Sequence, residues 1–174
     1  MSKFSALVVA LVLLLAPMPA LAQNTLTLPS TTTAYTAGEL IANSATATSV
    51  VVPYFSVAPG EKIISGVRLS TNDATSTAWG AKTVQVDLWS AAPTFTNGDR
   101  GAWAVATGAA SHLASFTCTM SAEAGDGAWA ECAPAVGNMY VVRGSGPIYW
   151  TLEAISGSGV TGASKGFTMT PEIP

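Results

Sequence analysis

The sequence predicts an all-β protein, a single β-sandwich of jelly-roll type built from short strands and turns. Three segments, Val84–Trp89, Ile148–Ile155 and Phe167–Thr170, alternate apolar and polar residues with the period of two that marks a half-buried strand. The segment Ala34–Ala42 contains Gly38 and is predicted as a loop or short strand rather than a helix. Clusters of Gly, Pro, Asn and Asp separate the remaining predicted strands, which are Asn24–Leu28, Ser49–Val57, Lys62–Thr71, Ser111–Met120, Ala128–Ala133 and Asn138–Val142.

The N-terminus has the features of a cleavable secretory signal peptide over residues 1–22. Lys3 precedes an apolar run from Phe4 to Ala16, and an Ala-x-Ala cleavage site ends at Ala22. The run is shorter than the roughly 20 residues that span a bilayer, so an uncleaved anchor is the less favoured alternative. Residues 23–174 then form the single β-sandwich domain, and the expected localisation is periplasmic or extracellular.

The charge of the chain argues against nucleic acid as a partner. Seven basic and ten acidic residues give a net charge of −3, and loss of Lys3 with the signal takes it to −4. Phosphate binding needs clustered Lys and Arg, whereas the basic residues here are scattered singly. No later apolar segment reaches transmembrane length, so no membrane association is expected after signal cleavage.

The two cysteines, Cys118 and Cys132, are predicted to form an intramolecular disulfide. A cysteine pair in an exported chain is most simply a disulfide. In a hairpin centred on Gly125, facing residues have numbers that add to 250, and the two cysteines satisfy this relation. Facing side chains are close enough to bridge. The alternative is a pair of free thiols buried as small apolar groups.

Residues for catalysis or metal binding are scarce. His112 is the single histidine, it begins a predicted strand, and no acid or cysteine lies near it at ligand spacing. Gly162–Gly166 matches Gly-x-Ser-x-Gly, but the following helix, acid and histidine that a nucleophile elbow requires are missing. Thr96–Arg100 lacks the full calcium-loop pattern and is predicted as an Asn-Gly turn. The sequence therefore predicts a non-enzymatic protein without catalytic residues, cofactor or metal site.

The tryptophans are the strongest candidates for a binding surface. Trp79, Trp89, Trp103 and Trp129 are predicted interface aromatics, while Trp150 belongs to an apolar strand face and is predicted in the core. Exposed aromatic rings serve protein interfaces and can also stack on sugar rings. The sequence leaves both uses open.

Five motifs carry a family resemblance. They are Ala34–Glu39 with its Tyr and Gly, the strand end Leu88–Thr94, the loop Asn97–Asp99, the pair Ala102–Trp103 and the terminal segment Ile148–Thr170. With these motifs the chain resembles a family of small tailed-phage structural proteins, described as head-decoration or uncharacterised virion proteins. The resemblance covers most of residues 23–174, and its motifs are turns, strand ends and packing residues.

The resemblance implies a non-enzymatic virion or surface component that acts through protein–protein contacts. Its expected partners are further copies of the chain or capsid and tail proteins, and its expected location is the virion. The alternative is a secreted or periplasmic β-sandwich binding module with glycan as its ligand. The signal peptide favours this alternative, and the family resemblance favours the virion component.

Overall fold

The computed structural model describes residues 24–29, 33–72, 76–123, 127–134, 140–143, 145–157 and 165–174. The predicted signal peptide, residues 1–22, lies outside the described residues.

The described residues form short strands joined by turns, which confirms the predicted all-β sandwich-like fold. Among the described residues, helix is limited to one α-helical turn, α1 (Ser76–Trp79), and two 3₁₀ turns at Ala47–Ser49 and Ala109–Ser111. The jelly-roll connectivity stays a prediction. The strands are β1 (Thr25–Thr27), β2 (Glu39–Ile41), β3 (Tyr54–Val57), β4 (Glu61–Ile64), β5 (Gly66–Thr71), β6 (Thr83–Trp89), β7 (Thr94–Phe95), β8 (Val105–Thr107), β9 (His112–Thr119), β10 (Ser121–Glu123), β11 (Gly127–Pro134), β12 (Tyr140–Arg143), β13 (Gly146–Ala154) and β14 (Gly166–Glu172).

The ten main strands form one continuous antiparallel sheet that curls into two layers, here named sheet A and sheet B. Sheet A has the order β1-β14-β5-β11, with β10 also paired to β11. Sheet B has the order β9-β6-β13, and both β2 and β3 pair with β13. Strand β11 belongs to both layers, because it pairs with β5 in sheet A and ends on β9 in sheet B. Two small ladders, β4–β12 and β7–β8, lie outside the main sheets.

The core lies between the inner faces of the two sheets. The predicted alternation holds in β6, β13 and β14, whose apolar residues point inward. The side chain of Trp150 is fully buried, as predicted. The inward residues of the three strands are Val84, Val86, Leu88, Ile148, Trp150, Leu152, Ala154, Phe167 and Met169.

Two predicted strands are shorter or more divided than the sequence indicates. Lys62–Thr71 breaks at Ser65 into β4 and β5, because β4 pairs with β12 whereas β5 lies between β14 and β11. Of Ser49–Val57, only the residues of β3 form a strand, and Ser49 ends a 3₁₀ turn. The segment Ala34–Ala42 is a loop with the short strand β2, as predicted.

The predicted disulfide joins Cys118 to Cys132, with Cα atoms 4.5 Å apart. The register in which residue numbers add to 250 is present on both sides of it, at Ser121–Trp129 and at Thr117–Ala133. Both cysteines are buried in the core. The alternative of two free thiols is therefore wrong.

Removal of the disulfide should destabilise the protein by about 3 kcal/mol. The bond closes a loop of about 15 residues and so reduces the conformational entropy of the unfolded chain. The change to make is Cys118→Ala with Cys132→Ala, and the measurement is the free energy of unfolding in urea. Reductant should lower the stability of the parent protein and leave the double variant unchanged. An unfolding midpoint that is identical with and without reductant would contradict the prediction.

Candidate functional site

The outer face of sheet B carries rows of polar and aromatic side chains across its strands. Because side chains alternate along a strand, residues between the inward apolar positions of β6 and β13 point to this outer face. The pairing of β6 with β13 and β9 then sets these residues opposite one another. The rows are Tyr149–Trp89–His112, Thr151–Asp87–Ser115 and Glu153–Gln85–Thr117.

The first row consists of aromatic rings, and β3 extends it with Tyr54 opposite Tyr149. The rings of Tyr54 and Tyr149 are 5.7 Å apart between centroids, and those of Trp89 and His112 are 4.9 Å apart, edge to face. Trp89 is buried, and its Nε1 donates a hydrogen bond of 2.8 Å to Thr151 Oγ1. Trp89 thus supports the row from within, while the two half-buried tyrosines present ring surface outward.

Asp87 is the centre of the polar cluster and is only 3% exposed. Its Oδ1 accepts a hydrogen bond from the Ser115 hydroxyl and lies 3.1 Å from His112 Nε2. Gln85 Nε2 donates to both carboxylate oxygens, at 3.1 and 3.2 Å. These partners compensate for the removal of the carboxylate from water. They also hold His112 and Ser115 in place at the surface.

Glu153 brings a second carboxylate to the same face, half-buried and diagonal to Asp87. Burial raises the pKa of Glu153 above its ordinary value of 4.5, and the negative charge of Asp87 raises it further.

The Asp87, His112 and Ser115 side chains do not have the arrangement of a hydrolytic triad. In such a triad the imidazole lies between serine and acid, and each ring nitrogen serves one of them. Here His112 Nε2 faces both Asp87 Oδ1 and Ser115 Oγ at 3.1 Å, and the serine hydroxyl donates directly to the carboxylate. Because the serine hydroxyl donates to Asp87 rather than to the imidazole, the cluster is a hydrogen-bond network and not a triad.

A second network joins the loop before β2 to the loop after β7. Asp99 Oδ1 accepts hydrogen bonds from the Tyr35 hydroxyl at 2.7 Å and from the Ala42 amide at 2.8 Å. The Arg100 guanidinium lies over the Tyr35 ring at 4.1 Å, and its Nε is 3.6 Å from Asp99 Oδ2. Burial raises the pKa of both Asp99 and Tyr35.

The backbone of this loop is closely fitted. A Cβ atom at Gly98 would overlap the backbone carbonyl of Ala45. Only glycine therefore allows the backbone at position 98 to lie this close to Ala45. Arg100 has a φ of 65°, which is rare for a residue with a side chain. The loop predicted at Thr96–Arg100 is therefore a structural turn whose acid is already engaged by the fold.

The predicted interface aromatics do not meet on one surface. Trp79 is buried in the core, 4.8 Å from the Phe167 ring, and Trp89 is buried within the aromatic row. The expectation that these two rings are exposed is wrong, because α1 directs Trp79 inward and Trp89 packs against the side chains of His112 and Thr151. Trp103 is half-buried against Phe95, with ring centroids 5.1 Å apart. Trp129 is half-buried on the outer face of sheet A.

Sheet A has an outer face of a different kind. The Arg68 guanidinium lies 5.1 Å from the Trp129 ring centroid. Beside them opens a cavity of about 520 Å³, whose lining includes Thr25, Ser70, Thr168 and Lys165. This face is rich in hydroxyl groups and has one half-buried tryptophan, whereas sheet B carries the aromatic row and the two carboxylates.

Sequence reasoning missed Asp87, Ser115, Tyr54 and Tyr149, and it treated His112 as isolated. The alternation of Gln85, Asp87 and Trp89 on one strand face was the available signal for part of the site. The Gly-x-Ser-x-Gly match has its Ser164 outside the described residues.

The described part of the chain has neither a metal-ligand cluster nor a membrane-spanning helix. No three His, Cys, Asp or Glu side chains come together there as a metal-ligand group. No helix there has the length and apolar character needed to cross a membrane.

Comparisons with protein-family models, with curated proteins and with solved structures give no match.

Replacement of Tyr35 by Phe should destabilise the protein by about 2 kcal/mol, because Asp99 loses a buried hydrogen-bond donor. Urea unfolding of Tyr35→Phe measures the effect, and Tyr54→Phe on the outer face of sheet B is the matched control, with little expected change. Equal stability of the two variants would contradict a structural role for the Tyr35–Asp99 hydrogen bond.

Replacement of Glu153 by Gln should make the protein less sensitive to rising pH. Because the pKa of Glu153 is raised in the folded state, the folded protein keeps this proton to higher pH than the unfolded chain does. The stability from this group is present below a pH of about 4.5 and is lost as the pH rises through the folded pKa.

The measurement is the free energy of unfolding of parent and Glu153→Gln between about pH 4 and about pH 7. The free energy of unfolding of Glu153→Gln, relative to that of the parent, should increase with pH. Glu131→Gln on sheet A serves as the control. An advantage that is constant or shrinks as the pH rises would show that the prediction is wrong.

Proposed function

We propose that this chain is a non-enzymatic interaction protein of the virion-surface type, exported and held in many copies on a particle by protein–protein contacts. The observation that carries the proposal is the outer face of sheet B. It combines the half-buried rings of Tyr54 and Tyr149 with polar groups that bond to one another rather than to a reacting centre. Such a face suits recognition, because ring surface and fixed hydrogen-bonding groups lie side by side.

The family resemblance supports the virion part of the proposal through residues that build the fold. Its Tyr-x-x-Gly, Asn-Gly-Asp and Ala-Trp motifs meet in one place, where Tyr35 bonds to Asp99 and the Trp103 amide donates to the Gly38 carbonyl at 2.7 Å. Glu39 also pairs with Ala102 there. Because these motifs shape a loop cluster, the resemblance concerns architecture and assembly rather than a reaction.

The disulfide supports export. A cystine of this kind persists in oxidising compartments and is rare in the cytosol. It is compatible with the predicted signal peptide and with a protein that works outside the cytoplasm.

Mass spectrometry of purified virions or other extracellular particles from the source culture tests the proposal. We expect peptides from residues 23–174, beginning at Gln23, in amounts comparable with other shell components. The unfractionated culture fluid is the control, since it shows whether the protein is exported at all. A protein that is abundant in the fluid and missing from every particle fraction would overturn the particle role.

A further inference from the structure

We infer that the free edge of β1 is an interface for a second copy of this chain, which adds its own β1 in antiparallel orientation across a two-fold axis. The inference deepens the proposed function and rests on it, because it takes the exported chain, beginning at Gln23, as the form that associates through protein–protein contacts.

Strand β1 is the last strand of sheet A, and its backbone is paired on one side only. The Leu28 amide donates to the Lys165 carbonyl at 2.8 Å. Because bonded and non-bonded positions alternate along an antiparallel strand, the N–H and C=O groups of Thr25 and Thr27 point away from β14. Within the described residues, these outward backbone groups have no hydrogen-bond partner. They form the pattern that an added strand requires.

The opposite end of the sheet is covered by the chain itself. The Leu40 amide of β2 donates to the Gly101 carbonyl at 2.8 Å, and the Leu40 carbonyl accepts from the Arg100 amide at 2.9 Å. Glu39 forms a further bridge with Ala102. The loop after β7 thus pairs with the outer edge of β2, whereas no described segment pairs with the outer edge of β1.

A groove lies beside the free edge of β1. Its volume is about 280 Å³, and its lining consists of Thr25–Leu28 together with Asn43 and Val51 from the segment after β2. The side chain of Val51 is apolar but 50% exposed. A strand in this groove completes the backbone ladder of β1 and covers Val51, so the groove suits an extended peptide segment.

A second copy of β1 uses every unpaired backbone group of this edge. With the two-fold axis at Leu26, Thr25 of each copy faces Thr27 of the other, and each such pair exchanges two backbone hydrogen bonds. The threonine side chains then meet as cross-strand pairs on the outer face of sheet A. The two Leu26 side chains lie on the inner face, where Leu26 already belongs to the core.

The charge of the segment favours a second copy over a foreign partner. Residues 24–29 carry no charge, so two copies bring no like charges together at this contact although the chain as a whole is acidic. Charged side chains on an edge strand commonly prevent such pairing, and β1 has none. A foreign strand also finds no charged group on β1 that would select it.

Cysteine cross-linking tests both the partner and the register. Thr25→Cys and Thr27→Cys are prepared as separate exported proteins, mixed and oxidised; the native cystine is buried, so each variant offers one free thiol. Facing positions have Cα atoms about 5.5 Å apart, within disulfide range, whereas the same position in the two copies is separated by about 8 Å. We expect covalent dimers in the mixture and at most traces with either variant alone.

Sedimentation velocity at increasing concentration is the second measurement, because a contact made of a few backbone hydrogen bonds is weak in dilute solution. The parent should form a dimer as its concentration rises. Thr25→Pro should abolish the dimer, since proline removes the outward amide and leaves the bonds to β14 intact. If Thr25→Pro does not fold, as judged by thermal unfolding, Thr27→Lys carries the same expectation, because it places a charge on the edge.

Ser56→Pro on β3 is the matched control. The Trp150 amide donates to the Pro53 carbonyl at 3.0 Å, and from there the bonded positions alternate, so the Ser56 amide also points away from its neighbouring strand. The substitution therefore removes an outward amide from a different edge. Ser56→Pro should dimerise as the parent does.

Three results would overturn the inference. They are a parent that stays monomeric at every concentration, cross-links that form equally in the mixture and with either cysteine variant alone, and a dimer that Ser56→Pro abolishes and Thr25→Pro does not. A monomeric parent whose Thr25→Pro variant loses attachment to the particle would assign the edge to a different protein and leave the proposed function standing. The expected dimer, in a protein missing from every particle fraction, would instead refute the particle role and support this interface.

Discussion

The disulfide between Cys118 and Cys132 lies where one hairpin belongs to both sheets, and the arrangement of the sandwich depends on that point. Near the turn of the hairpin, β11 pairs with β10 within sheet A, and at its other end it pairs with β9 in sheet B. The cystine spans the transition between these ladders, with its Cα atoms 4.5 Å apart. Because it is buried, it also packs as part of the core that both sheets share. A covalent bond thus joins the two layers where backbone pairing changes partners.

This constraint extends through β9 to the outer face of sheet B. The same strand that carries Cys118 inward carries Ser115 outward, opposite Asp87 on β6. A shift of one residue in the pairing of β9 would turn Ser115 away from the carboxylate and Phe116 away from the core. The disulfide therefore helps to hold the register on which the polar cluster of sheet B depends.

Local patterns in the sequence were sufficient to predict part of this structure. The alternation in β6, β13 and β14 predicted their inward faces, and the spacing of Cys118 and Cys132 predicted their pairing, because a hairpin sets its own register. Pairing between distant strands carries no such signal. Nothing near Trp89 in the chain indicates that Tyr149 and Thr151 will lie beside it, so its burial could not be predicted.

The polar cluster around Asp87 could not be predicted either, because it too depends on pairing between strands that are distant in sequence. His112 has no acid nearby in sequence, yet its Nε2 lies 3.1 Å from a carboxylate oxygen of Asp87, which is 25 residues away. That contact requires both the β6–β9 register and the shift in pairing between Leu88 and Trp89, which brings His112 rather than Leu113 opposite Trp89. Periodicity reveals which residues share a face of one strand. It does not reveal which strands become neighbours, and the site consists of such neighbours.

The polar cluster of sheet B contains more buried polar and charged groups than the stability of a sandwich requires. A carboxylate buried on a sheet face loses its hydration, and the loss costs several kcal/mol unless other groups replace the water. At Asp87 that replacement takes Ser115, Gln85 and His112, and a second carboxylate, Glu153, adds repulsion to the same face. Small hydroxyl side chains, as on sheet A, would cover the strands without a buried charge. Positions where a chain departs from the least costly packing are where function and stability conflict. On sheet B the departure orients His112 and Ser115 beside two half-buried tyrosines, and the recognition role proposed for this face would give it a physical reason.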